Sequence, residues 1–122
     1  MRVAIIDLGT NTFNLLVAER AADGGLHILH SAERPVFLGK GGIEKGVIAE
    51  DAFARGMEAL AAHREAALAH GAERILGFGT SALRNAHNAP DFVREALDRF
   101  SIAITVVPGG EEIGRASCRE RV

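Results

Sequence analysis

Three short segments carry residue types that can do chemistry, and each one follows an apolar run. The first, Asp7-Leu8-Gly9-Thr10-Asn11-Thr12, comes after Val3-Ala4-Ile5-Ile6. A carboxylate at a strand end can hold a hydrated metal or orient a water. A glycine there lets the backbone approach a ligand, and Thr and Asn side chains can donate to phosphate oxygens. The same residues also suit an ordinary hairpin turn. The second segment is Gly77-Phe78-Gly79-Thr80-Ser81-Ala82-Leu83-Arg84. Two hydroxyls, the N–H groups of a helix start and a guanidinium one turn later can cradle an oxyanion. The alternative is a plain N-cap at Thr80 or Ser81 beside a solvated arginine. The third, Glu111-Glu112, follows Pro108-Gly109-Gly110. One glutamate can act as a general base on water, or both can simply favour a helix N-terminus.

Other groupings carry less. A strand through His27 and His30 is expected to turn them to opposite sides, and His63, His70 and His87 are scattered, so no histidine metal set is expected. Lys40 among Gly39, Gly41 and Gly42 lacks the Walker spacing and the Ser or Thr after the lysine.

These segments need elements to hold them. Val3–Ile6, Thr12–Glu19 and Leu26–Val36 read as three strands, with Ala22-Asp23-Gly24-Gly25 as a hairpin turn, which makes an antiparallel meander. Leu38-Gly39-Lys40-Gly41-Gly42 reads as a flexible connection to a helix. That helix is expected to bury Phe53, Met57, Leu60, Ala61, Ala67 and Leu68, with Glu58, His63, Arg64 and Glu65 turned largely elsewhere. Gly71 should stop it. Arg74–Phe78 is a fourth strand, followed by a short helical turn through Ala82, Leu83 and Arg84. A second helix opens at Asn88-Ala89-Pro90-Asp91, with Phe92, Val93, Ala96, Leu97 and Phe100 on one stripe. Ile102–Val107 is a fifth strand. The class is α/β in the order βββαβαβ, and the three polar turns lie at strand ends, where ligands gather in such folds.

Composition narrows the function classes. A chain of 122 residues, 48% hydrophobic and 25% charged, suits one soluble domain. It has no apolar run of membrane-spanning length and no signal-peptide pattern, and Cys118 is its one cysteine, so the expectation is a cytoplasmic protein without membrane attachment. The formal charge of −2 gives no electrostatic case for general nucleic-acid binding.

The segments resemble a known family. Ala4-Ile5-Ile6-Asp7-Leu8-Gly9-Thr10-Asn11-Thr12-Phe13-Asn14-Leu15-Leu16 is similar to the opening phosphate motif of the Ppx/GppA phosphatases, the exopolyphosphatases and guanosine pentaphosphate phosphohydrolases. Gly79–Ala86 resembles their second signature, and Val106–Glu112 the strand and loop that lead to their catalytic glutamate. The resemblance implies the first lobe of an actin/Hsp70/sugar-kinase-like (ribonuclease H-like) fold. It implies that Asp7 helps hold Mg²⁺ or the water, and that Gly9, Thr10, Asn11 and Asn14 line the phosphate site. Thr80, Ser81 and Arg84 would bind the phosphate end, and Glu112 would be the general base, with Glu111 its neighbour. The implied substrate is inorganic polyphosphate or a phosphorylated guanosine nucleotide, and the resemblance leaves room for a homodimer of the intact protein. The alternative is the nucleotide-binding lobe of an Hsp70-like or actin-like ATPase, where the same turn would cradle ATP. The Thr-Ser-Ala-Leu-Arg and Gly-Gly-Glu-Glu signatures favour the phosphohydrolase.

The resemblance covers residues 1–112 as a partial N-terminal lobe, and nothing in the chain matches the second lobe's phosphate loop. The 122-residue chain by itself is therefore expected to be inactive. Purified chain incubated with polyphosphate and Mg²⁺ should release no phosphate, and turnover at a rate typical of the family would overturn this. Residues 113–122, Ile-Gly-Arg-Ala-Ser-Cys-Arg-Glu-Arg-Val, depart from the family pattern and back-translate without a misfit to a common short-read sequencing adapter. The expectation is a non-native tail, in preference to a basic interaction tail or a redox-active Cys118. Without it the formal charge is −4, because it holds three arginines and one glutamate. Resequencing the locus decides the matter, and a native gene that reads through these ten residues would refute the adapter origin.

Overall fold

Alternation in the first two strands decides which way the sheet faces. Ala4, Ile6 and Leu8 are buried, as are Phe13, Leu15 and Val17, whereas the intervening Ile5, Asp7 and Asn14 are exposed. The register pairs like with like: Ala4 lies opposite Val17, Ile6 opposite Leu15 and Leu8 opposite Phe13. A slip of one residue would turn both apolar rows to solvent.

The computed structural model describes residues 1–42 and 45–107. In chain order the elements are β1 (Arg2–Leu8), β2 (Thr12–Arg20), β3 (Leu26–Pro35), α1 (Glu50–Ala69), β4 (Arg74–Gly79), α2 (Ser81–Asn85), α3 (Ala89–Phe100) and β5 (Ala103–Val106). They form one sheet in the order β3-β2-β1-β4-β5. The meander is antiparallel, as expected, and β4 and β5 add parallel to β1. The short helical turn expected after Thr80 is α2. Helix α1 ends at Gly71 in a left-handed conformation (φ 78°), with Gly71 N–H donating to Leu68 and Ala72 N–H to Ala67, the paired bonds of a Schellman stop.

The buried rows of the sheet pack under α1 and α3. Contact between the two helices is close at Gly56, where a methyl group would lie 2.7 Å from the Phe92 ring. Phe92 also meets Phe13 and Phe53 edge to face, with centroids 6.3 and 5.0 Å apart. No described element covers the opposite face of the sheet, where Ile5 and Phe78 are each 37% exposed.

Several expectations need correction. Helix α1 buries Ala52, Gly56, Met57, Ala59, Leu60, His63 and Ala67, and leaves Leu68 exposed, while α3 leaves Leu97 exposed. Small residues set the buried stripe because the helices lie close together, which an eye drawn to large side chains misses. The segment 38–42 is packed, not a loose connection: Leu38, Gly39 and Gly42 are buried. His27 and His30 share one face, because a bulge between Val17 and Ala18 places Leu29 as an extra residue, so His30 pairs with Val17 and His27 with Glu19. His30 stacks on His70, with ring centroids 4.3 Å apart.

His63 was expected to turn outward, but it is 1% exposed and is the buried ionisable side chain among the described residues. Its Nε2 lies 2.8 Å from the Phe13 carbonyl, so this nitrogen carries the proton and donates. Burial lowers its pKa from the usual histidine value, the Phe13 hydrogen bond opposes that, and the positive fields of Arg34 and His30 add to the lowering. The unfolded chain therefore binds more protons than the folded one just below the free-histidine pKa of about 6.5, and stability falls as pH drops through that value. A denaturant series from pH 8 to 5 should show this loss. His63→Gln, which keeps a donor to Phe13 but cannot titrate, should flatten the slope, and equal slopes would remove His63 as its source.

Candidate phosphate-binding site

The turn between β1 and β2 closes on itself through Gly9 N–H, which donates to the Thr12 carbonyl at 3.0 Å. A Cβ at Gly9 would stand 3.0 Å from that same oxygen, so a side chain there would push the turn open. From outside, a strap of three residues holds the turn. Val36 and Phe37 N–H groups both donate to the Asn11 carbonyl, at 2.8 and 2.9 Å, and Leu38 N–H donates to the Thr10 carbonyl at 2.7 Å. Helix α1 secures the strap in turn. Arg55 donates from Nε to the Val36 carbonyl (2.7 Å) and from Nη2 to the Phe37 carbonyl (3.2 Å), while its Nη1 meets Asp51 at 3.3 Å. The hydrogen bond from Arg55, followed by one from the Ala52 backbone, holds the Asp51 carboxyl below its ordinary pKa.

Sequence reasoning overlooked the strap and Arg55. A signal was present in the alternation of Val36 and Leu38 around Phe37, but the neighbouring glycines masked it.

Asp7 and Asn14 lie directly opposite each other across β1 and β2, and Glu33 lies opposite Asn14 on β3. All three are exposed on the uncovered face, where they line a shallow depression of about 480 Å³ together with Ile5, Leu16 and Ser31. Carboxylate and amide oxygens are the hard donors that Mg²⁺ takes, and a cation that keeps several waters and adds phosphate oxygens needs few protein ligands. Asp7 fits such a role. Among the described residues no group of three His, Cys, Asp or Glu side chains converges as a complete metal cage.

The second segment meets the first at the strand ends. Leu8 and Gly79 are register partners, and Thr80 continues from β4 across to β1, its N–H and its Oγ1–H both directed at the Leu8 carbonyl, at 3.3 and 3.2 Å. Thr80 therefore does not cap α2 with its side chain, and its hydroxyl must release Leu8 before it can donate to an anion. Ser81 is the first residue of α2. Arg84, one turn on, is exposed and reaches the Val107 carbonyl with Nη1 at 3.2 Å, while Val107 N–H donates to Gly79 at 2.9 Å. Glu111 and Glu112 lie outside the described residues.

So the ends of β1, β4 and β5 are stitched into one edge that carries Gly9, Thr10 and Asn11 beside Thr80, Ser81 and Arg84, with Asp7 and Asn14 on the adjoining open face. The strap's continuation braces the second segment as well. His87 N–H donates to Gly46 at 2.6 Å, and the Asn88 amide grips Ile48 twice, accepting from its N–H at 2.8 Å and donating to its carbonyl at 3.0 Å. A separate hollow of about 630 Å³ lies between α1 and α3, lined by Ile48, Phe53, Met57, Glu58, Glu95 and Arg99, and none of the candidate phosphate residues borders it.

Comparison with known proteins gives this geometry a lineage. The profile of the Ppx/GppA phosphatase family matches residues 16–117. The chain is 38% identical to exopolyphosphatase 2 of Mycobacterium tuberculosis over 119 residues, covering 91% of this chain and 37% of that protein. It is 36% identical to the guanosine-5'-triphosphate,3'-diphosphate pyrophosphatase of Photobacterium profundum over 109 residues, 89% of this chain and 22% of that protein. The crystal structure of an exopolyphosphatase from Cytophaga hutchinsonii superposes with a TM-score of 0.83 at 34% identity, covering 88% of this chain and 34% of that one. That of the Aquifex aeolicus Ppx/GppA family member superposes at 0.80 and 29% identity, covering 88% and 35%. A RuvC from Thermus thermophilus, at 16% identity and a TM-score of 0.53, shares the fold alone. The chain thus spans about a third or less of the length of these relatives and carries the actin-like, ribonuclease H-like fold of their first part. It belongs to the Ppx/GppA phosphatase family.

Proposed function

We propose that the whole protein is a phosphohydrolase that removes terminal orthophosphate from inorganic polyphosphate or from a phosphorylated guanosine nucleotide. The observation that carries the reading is the convergence, at one sheet edge, of the Gly9–Asn11 turn and the Thr80–Arg84 segment, tied through Leu8 and Val107. Relatives named as exopolyphosphatase and as guanosine-5'-triphosphate,3'-diphosphate pyrophosphatase support it.

In this reading the backbone of the Gly9 turn and the side chains of Asn11 and Asn14 cradle the terminal phosphate. Arg84 swings from the Val107 carbonyl to the phosphoryl oxygens, where a planar guanidinium can engage two of them. Thr80 trades its bond to Leu8 for one to phosphate. Glu112 takes the proton of the attacking water, and the backbone N–H groups and Arg84 stabilise charge that grows on the transferred group. Mg²⁺, held by Asp7 with phosphate oxygens and water, would supply further charge neutralisation. Action in the cytoplasm and assembly as a homodimer belong to the same proposal. No helix among the described residues is long and apolar enough to cross a membrane.

Orthophosphate release by the whole protein from polyphosphate or guanosine pentaphosphate tests the reading. Chelation of divalent cations should stop turnover, and added Mg²⁺ should restore it. Because Arg84 is exposed and makes one bond to a carbonyl, Arg84→Gln should leave the melting temperature unchanged. It should lower kcat/KM by about 100-fold, the scale of losing one donor to a transition-state oxyanion. An unaltered rate would remove Arg84 from the site, and no release from either substrate would overturn the proposal.

A further inference from the structure

The three N–H groups of the strap and the carbonyls of Val36 and Phe37 all have partners, but one side chain does not follow from packing. Phe37 has a left-handed backbone (φ 52°), a conformation in which a bulky side chain crowds its own main chain. Three hydrogen bonds keep it there: its N–H donates to Asn11, and its carbonyl accepts from Arg55 Nη2 and from Lys40 N–H at 3.0 Å. Such strain is common where a core needs the side chain, yet here the core does not. Val36 and Leu38 on either side are fully buried, whereas Phe37 is 48% exposed. The strap anchors itself by its neighbours and turns the aromatic residue outward. Its main-chain N–H donates to the Asn11 carbonyl, which sets Phe37 beside the candidate phosphate turn with its side chain half exposed, and exposed Lys40 follows one turn beyond.

An aromatic ring offers nothing to an inorganic phosphate chain. Phosphate oxygens are repelled by the negative face of its quadrupole, and polyphosphate has no apolar or π surface to cover it. A purine base has such a surface, and bases stack on exposed aromatic rings. We propose that Phe37 is a specificity-determining residue that stacks on the base of a purine nucleoside polyphosphate and biases the site towards it over inorganic polyphosphate. The inference rests on the phosphate-site reading above.

The test compares steady-state kinetics of the whole protein on two substrates, guanosine pentaphosphate and long-chain polyphosphate. Two variants are needed: Phe37→Leu, which keeps the bulk and removes the ring, and Phe37→Gly, which also relieves the left-handed backbone and so guards against a fold defect. Both should raise KM for the nucleotide about fivefold or more, with kcat and the polyphosphate KM unchanged. Equal losses on both substrates would mean that Phe37 merely shapes the turn, and unchanged nucleotide KM would mean that it touches no base; either overturns the inference while leaving the phosphohydrolase reading intact. If the wild-type protein hydrolyses neither substrate, the phosphate-site reading fails and this inference falls with it.

Discussion

The carbonyl oxygens of Thr10 and Asn11 accept three hydrogen bonds from one short strap, and the rest of the candidate site depends on that arrangement. A tight turn rich in small polar residues has several conformations open to it, and a backbone that must meet a phosphate cannot sample them. Each backbone bond contributes only about 0.5–1.5 kcal/mol net. Burying Val36 and Leu38 completely is worth about 1.5–3 kcal/mol apiece, so apolar anchoring dominates and the hydrogen bonds supply the direction. Arg55 extends the same logic into helix α1. Its bonds to the Val36 and Phe37 carbonyls fix the strap, whereas its exposed pairing with Asp51 adds little that salt would not screen away.

Sheet topology supplies the second constraint. Because β1, β4 and β5 run parallel, their carboxyl ends open on the same edge, and two segments that are seventy residues apart in the chain become neighbours. Thr80 and Val107 tie that edge together through Leu8 and Gly79. In the described residues these ties occupy the groups that catalysis would use: the Thr80 hydroxyl faces Leu8 and the Arg84 guanidinium faces Val107. Under the proposed function a phosphate would compete with neutral carbonyls for both, and charge-assisted bonds to phosphate are roughly twice as strong as neutral ones. In that reading the edge is shaped before a ligand comes but would still be able to respond to it.

The uncovered sheet face is the part of the structure least like a finished protein. Ile5, Leu16 and Phe78 share it with Asp7 and Asn14, so apolar area adjoins polar candidates without a covering layer among the described residues. The relatives are about two and a half to four times as long as this chain, and in a two-layered arrangement a single sheet buries only one of its faces.

Much was legible in the residues themselves. Period-two alternation located the meander, Gly71 the helix stop, and the ordered polar turns the strand ends, because each is a local consequence of backbone sterics and of apolar side chains leaving water. The family resemblance picked out the candidate phosphate residues by type and spacing, again a local matter. Only tertiary structure decided the rest. Whether 38–42 is loose or packed depends on Thr10 and Asn11, more than twenty residues away. His63 turned inward because the Phe13 carbonyl offered a partner that no helical period could announce. The shared face of His27 and His30 followed from a bulge set by pairing with β2. These outcomes turn on hydrogen bonds and close approaches between distant segments, and such contacts exist only once the chain has folded.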